Sequence, residues 1–249
     1  MNRKKLAALI MMLSLAITTM VGGTLAYFTD TDDATNVFTA GNVEIDLTET
    51  EVEYDAKGNL VSTGNRMDVG KSENEYNYGK LYPGMTVDKD PTIKNLGSED
   101  VFVAAKIVVT SAGDLERVLG TGYEGLINIK GLVKGGFVDD DADIVDTYGN
   151  LPIYGDGETY KLFQTAEDTD DDGKTDTYEF HLLFLKTLKY GEEVVLFEEL
   201  EVPASWDNAQ MVEMVDLVID VQAYAVQAYG FEDDALAAIN AAFNPPVQE

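Results

Sequence analysis

A mainly β domain built from two packed sheets is what the residue pattern predicts, on three observations. Strand-length segments with period-two alternation recur at short spacing. Turn signals built from Gly, Pro and Asn separate them, and helical periodicity is confined to two short stretches near 113–119 and 231–243. Strands in such number bury their apolar faces by stacking one sheet on another, with the few helices at the periphery.

Each element follows in order. Over residues 36–47, Val43, Ile45 and Leu47 share one face and Glu44 and Asp46 the other, as in a half-buried strand. Residues 49–80 are polar and rich in Gly, Asn and Tyr. Lys57-Gly58-Asn59 reads there as a turn within a loop or irregular hairpin. Pro83-Gly84 turns the chain into a strand over 86–94. Asn95-Leu96-Gly97-Ser98 then turns it into a β-branched strand over 101–110, and the two strands read as an antiparallel pair.

Leu115, Val118 and Leu119 suit a short helix, and 139–156 is an acidic, Gly-containing loop. Residues 160–164 and 178–188 form the arms of a hairpin, with Tyr178, Phe180, Leu182 and Phe184 on one face. The longest strand signal spans 211–227. Leu236, Ile239 and Phe243 mark a last helix that Asn244-Pro245-Pro246 stops. Trp206 is expected as a buried anchor rather than an exposed platform, since tryptophans are mostly buried.

The chain opens with Arg3, Lys4 and Lys5, an apolar run over 6–21, and small residues ending in Thr24-Leu25-Ala26. These are the parts of a cleaved export signal, with the cut between Ala26 and Tyr27. A membrane anchor is the alternative, but the apolar run sits near the lower limit for a span. The chain carries 17 Lys and Arg against 46 Asp and Glu, a formal charge of -29; without residues 1–26 the count is 14 against 46, or -32. That charge disfavours nucleic acid and anionic lipid as partners, and attracts divalent cations and basic partners. With no cysteine, an exported chain has no disulfides, thiolate catalysis or Cys-ligated metal.

After the signal comes AYFTDTDDATNVFTAGNVEIDL, residues 26–47. This block resembles the start of the TasA/camelysin family of exported proteins, and GKLYPGMTVDKDPTIKNLGSEDVFVAAKI, residues 79–107, resembles it more loosely. The resemblance implies a jelly-roll arrangement of the β-sandwich and processing by a SipW-type signal peptidase. It also implies a structural role in extracellular biofilm-matrix or cell-surface fibres. In such members the mature N-terminal segment completes a neighbour's sheet. Transferred to this chain, residues 27–36 are the donor, with Tyr27, Phe28, Thr29, Val37 and Phe38 as assembly residues, and residues 37–249 are one domain. The chain would then be its own partner, head to tail, with a minor matrix protein as a further candidate. An extended polar segment with aromatics, beside an open sheet edge, has the means for such pairing.

One local motif stands out. Asp168, Asp170, Asp172, Gly173, Lys174, Asp176 and Glu179 fit the twelve-residue calcium loop pattern D-x-D-x-D-G-x-x-x-x-x-E. Oxygens at alternate positions converge on one ion, Gly173 permits the turn, the Lys174 carbonyl adds a ligand and Glu179 closes the shell. Ca2+ is the cofactor this predicts; a solvated Asp-rich hairpin tip is the other reading. Strand-like flanks, and Thr175 where an aliphatic residue is usual, separate it from an EF-hand. The cluster Asp139, Asp140, Asp141 and Asp143 lacks the Gly and the spacing, and reads as a solvated turn.

Catalysis finds little footing. His181 is the only histidine, no H-E-x-x-H occurs, and no G-x-S-x-G frames a serine. The chain is therefore expected not to be an enzyme. A camelysin-like surface metallo-endopeptidase and a monomeric calcium-binding surface module are the alternatives.

Overall fold

The computed structural model describes residues 41–69, 80–119, 133–134, 137–138, 143–148, 151–156, 158–231 and 234–243. All lie in one compact unit, residues 41–249. The expectations placed on Ala26, Tyr27, Phe28, Thr29, Val37 and Phe38 fall outside the described residues, as do Asp139, Asp140 and Asp141.

The described domain is mainly β, with two six-stranded sheets. The first contains β1 (Ile45–Tyr54), β2 (Leu60–Asp68), β3 (Thr86–Asp88), β4 (Thr92–Asn95), β12 (Glu193–Val195) and β13 (Glu199–Glu201). Its order is β12-β4-β1-β2-β3-β13. The second contains β5 (Val101–Thr110), β8 (Ile144–Tyr148), β9 (Leu151–Gly155), β10 (Tyr160–Glu167), β11 (Thr177–Phe184) and β14 (Val218–Gln227). It runs β14-β5-β11-β10-β9-β8. A two-residue pair, β6 (Val133–Lys134) and β7 (Phe137–Val138), stands apart. Pairing is antiparallel except where β2 meets β3, through Leu60 and Val87.

The core lies between the sheets. Val101, Val103, Ala105, Ile107 and Val109 of β5 point inward beside Tyr178, Phe180, Leu182 and Phe184 of β11, facing Val52, Leu60, Val87 and Ile93. Trp206 is buried there, as anticipated. The short α1 (Leu115–Leu119) contributes the buried Leu115. Phe102 points outward instead and is covered by Ala235 and Ala238 of α3 (Ala235–Phe243).

Four expectations need correction. Residues 144–148 and 151–155, expected as loop, are the arms of the β8–β9 hairpin. Residues 49–68 take the irregular-hairpin form, β1–β2, turned by Asp55, whose Oδ1 accepts the Lys57 and Asn59 N–H groups at 2.8 Å each. The alternation is hidden because its buried positions include Glu49 and Thr50. Residues 86–94 form two short strands, split where Pro91 lacks an N–H for the ladder. β4 and β5 do not pair; the chain crosses from one sheet to the other at residues 96–100. Asn95 holds this crossing, its side-chain amide donating to the Glu99 and Leu188 carbonyls, each at 2.8 Å.

The fourth concerns the last strand, which begins at Val218 rather than near Met211. Residues before it form α2 (Asn208–Met211) and a 3-10 turn (Val212–Met214). Asp207 caps α2 in a reciprocal box with Gln210, and Asp216 at φ 54° turns the chain back into β14.

Candidate metal centre

The β10–β11 hairpin is in register from Tyr160 opposite Phe184 to Glu167 opposite Thr177, which leaves residues 168–176 as its tip. Asp171 (φ 60°) and Gly173 (φ 85°) supply the left-handed turns, and the space around Gly173 is open. Backbone conformation therefore accounts for glycine there. Asp168 organises the tip through both oxygens, accepting the Asp172 N–H at 3.1 Å and the Gly173 N–H at 2.8 Å. Asp170 Oδ1 shares the Asp172 N–H at 3.2 Å.

The tip is moored to the body of the domain. Ser111 N–H donates to the Asp176 carbonyl at 3.0 Å and Leu115 N–H to the Thr175 carbonyl at 2.8 Å. A shallow concavity results, lined by Asp170, Asp172, Lys174 and Asp176 on one side and Ser111, Ala112 and Gly113 on the other.

Of the anticipated ligands, the fold brings three together. Carboxylate oxygens of Asp168, Asp170 and Asp176 lie within 4.8 Å of one another, so this cluster can hold a metal ion. Asp176 fits that role best. Its Oδ2 accepts from Thr169 N–H at 3.0 Å and from Thr169 Oγ1 at 2.6 Å, while Oδ1 is buried with no hydrogen-bond partner. Burial pushes its pKa up, but hydrogen bonds from the Thr169 and Thr177 side chains and the backbone prevail and hold it below the usual carboxylate range. It is an ionised oxygen with a spare lone pair. Three carboxylates form a hard-oxygen donor set, suited to Ca2+ or Mg2+ rather than to a soft metal.

The other anticipated ligands are engaged elsewhere. Asp172 Oδ2 binds Lys174 Nζ at 2.5 Å and its Oδ1 accepts the Lys174 N–H at 2.9 Å. Glu179 lies within β11, two residues beyond its start, on the outer face of the sheet. Strand alternation decides this, because Tyr178 and Phe180 point into the core. Glu179 Oε1 there meets Lys106 Nζ at 2.5 Å, and its Oε2 lies 3.2 Å from His181 Nε2. The twelfth position of the calcium pattern is thus occupied in sequence but not at the tip. Sequence reasoning missed the 111–114 segment, where Asp114 Oδ1 is a second buried oxygen with no hydrogen-bond partner. No spacing rule links 114 to 168; only the sheet does.

His181, in β11, is half-buried. Its ring stacks on Phe163 with centroids 4.4 Å apart and planes 3° from parallel. Burial, then the Lys106 charge, pushes its pKa below the usual value, against the pull of Glu179.

These features define an acidic two-sheet β-protein with a carboxylate cluster competent for a hard cation. Residues 2–67, about a quarter of the chain, match the family model described as camelysin metallo-endopeptidase. The match ends inside β2, so β1 and most of β2 fall within it. It supports the TasA/camelysin resemblance drawn from residues 26–47. No curated protein and no solved structure matches the chain. The matched stretch holds neither histidine nor cysteine, and His181 lies far outside it.

Proposed function

We propose that this chain is an exported structural subunit of extracellular fibres or surface matrix. Residues 1–26 act as the export signal removed by a SipW-type peptidase, and residues 27–36 pair with a neighbouring copy. The observation that carries this reading is the family match over residues 2–67, because it coincides with the signal, the donor segment and the first hairpin. Open edges support it: among the described strands, β12 and β13 end one sheet, and β14 and β8 end the other. Backbone groups on such edges are available to an added strand.

Ca2+ at Asp168, Asp170 and Asp176 serves this role by lowering repulsion between chains whose formal net charge is -29. Deleting residues 27–36 from the mature chain tests the reading. Sedimentation is expected to show loss of assembly with an unchanged circular-dichroism melt.

The second reading, a camelysin-like metallo-endopeptidase, is favoured by the description of the matching family. A zinc centre of the usual kind takes three protein ligands, often two of them histidines, and this chain has one histidine, stacked on Phe163. Casein cleavage abolished by a chelator and weakened by His181→Ala would establish it. The 27–36 deletion would then leave activity intact.

A further inference from the structure

Among the described residues the buried charged side chains are Glu49 and Lys89, and they face each other. Lys89 Nζ lies 2.6 Å from Glu49 Oε1 and 2.8 Å from Oε2. Alternation puts them inside: Glu49 is two residues beyond the inward Leu47 of β1, and Lys89 two beyond the inward Val87 of β3.

Their backbones are fixed side by side. Thr50 N–H and Thr50 Oγ1 donate to the two carboxylate oxygens of Asp90 at 2.7 and 2.9 Å. Lys89 N–H donates to the Glu198 carbonyl at 3.1 Å. Packing alone gives little reason for this pair, because well-packed apolar residues of similar volume often serve a core as well or better. Chemistry gives another reason. An amine and a carboxyl group held in contact away from water are the two reactants of an amide bond.

We infer that Lys89 and Glu49 condense into an intramolecular isopeptide bond, Nζ to Cδ, which joins β1 to the segment between β3 and β4. Contact with both oxygens sets Nζ about 3 Å from Cδ, the separation of a near-attack arrangement. Rotation about the soft terminal torsion of Glu49 turns the face of the carboxyl group towards the amine. A proton first passes from the Lys89 ammonium to Glu49 Oε2, which removes both charges and so costs less in an apolar core than in water. The Nζ lone pair then attacks Cδ, and the carbonyl electrons move onto Oε1. A second proton passes from Nζ to Oε2, the Cδ–Oε2 bond breaks, Oε2 leaves as water and the carbonyl at Oε1 re-forms. One hydrogen stays on Nζ as the amide N–H.

The reaction is a condensation and calls for no oxidant, metal or cofactor. Fixed contact replaces a chance encounter, with an effective molarity on the order of 10⁵ M or more for well-oriented groups. The product carries no charge, so the core no longer holds two ions away from water. It also closes a loop between positions forty residues apart, in a chain that has no cysteine for a disulfide. The inference holds alike for a fibre subunit and for a peptidase.

Intact-mass spectrometry of the mature chain, unfolded in acid so that non-covalent contacts are lost, tests it. Wild type is expected to be lighter than its sequence by one water. A protease map is expected to contain a branched species joining the peptide with Glu49 to the peptide with Lys89. The double variant Glu49→Leu with Lys89→Met leaves no lone charge in the core and is expected to fold, to show its full sequence mass and to run more slowly on a denaturing gel. Wild type at full sequence mass overturns the inference and leaves Lys89 and Glu49 as an ion pair. A water loss that persists in the double variant, or that maps to Asp172-Gly173 as a cyclic imide, overturns it as well.

Discussion

Glu179 Oε1 lies 2.5 Å from Lys106 Nζ, across the β5–β11 ladder on the outer face of the second sheet. This contact separates the calcium pattern as written in the sequence from the candidate metal centre as built by the fold. The carboxylate that would close a twelve-residue loop is paired with a lysine, and the ion-competent group shrinks to Asp168, Asp170 and Asp176.

Metal affinity is therefore expected to depend on Asp176 and not on Glu179. Calorimetric titration with Ca2+ should show Asp176→Asn weakening binding at least about tenfold, because it replaces the charged oxygen that has no protein partner. Glu179→Gln should leave affinity within about twofold. The reverse ranking would restore the EF-hand-like shell.

The buried pair Lys89–Glu49 ties β1 to the segment before β4, with Nζ 2.6 and 2.8 Å from the two carboxylate oxygens and both side chains 5% exposed. Removing one partner leaves a charge in the core. Glu49→Gln or Lys89→Met is expected to cost about 3–5 kcal/mol in urea unfolding, whereas the double change Glu49→Leu with Lys89→Met costs much less. Additive losses would show that the two groups act separately.

The acid limb of stability should have two windows. His181 is held below its ordinary value of 6.5, chiefly by burial, so the folded state prefers the neutral ring. No penalty applies above 6.5; stability falls as pH drops from there towards the lower folded value. Asp90 is lowered despite burial, because Thr50 and Arg66 hydrogen-bond its carboxylate. Its contribution is present above 3.8 and is lost as pH falls through its depressed folded value. Melting temperature against pH checks both: His181→Phe should flatten the upper window and leave the lower one.

Gly97→Ala should loosen the start of the described chain without harming the core. The added Cβ meets the Asn42 carbonyl oxygen at 2.2 Å and the Glu44 nitrogen at 2.7 Å, both backbone atoms that cannot swing away. Faster amide exchange at Leu96 and Gly97 is expected, with core strands unchanged. Protection equal to wild type would show that residues 42–44 have another path.

Strands whose inward positions are apolar were legible from alternation alone: Val101–Thr110 came out with its bounds intact, and Tyr178, Phe180, Leu182 and Phe184 face the core as expected. The β1–β2 stretch was legible only as a loop or irregular hairpin, because Glu49 is buried by virtue of Lys89, forty residues away, and a residue pattern does not show its partner. The start of β14 was misjudged because Val212 and Val215 suit a strand, while the Asp207–Gln210 box starts a helix there. At the candidate metal centre, Asp168, Asp170 and Asp176 were legible from spacing. That Asp172 turns to Lys174 and Glu179 to Lys106 depends on strand register and a neighbouring strand, which a linear motif does not encode.

The most direct test of the fibre account is electron microscopy of the mature chain beginning at Tyr27, incubated with Ca2+ and, separately, with chelator. The account predicts regular unbranched filaments, more abundant with Ca2+. Dispersed monomers in both conditions would contradict it.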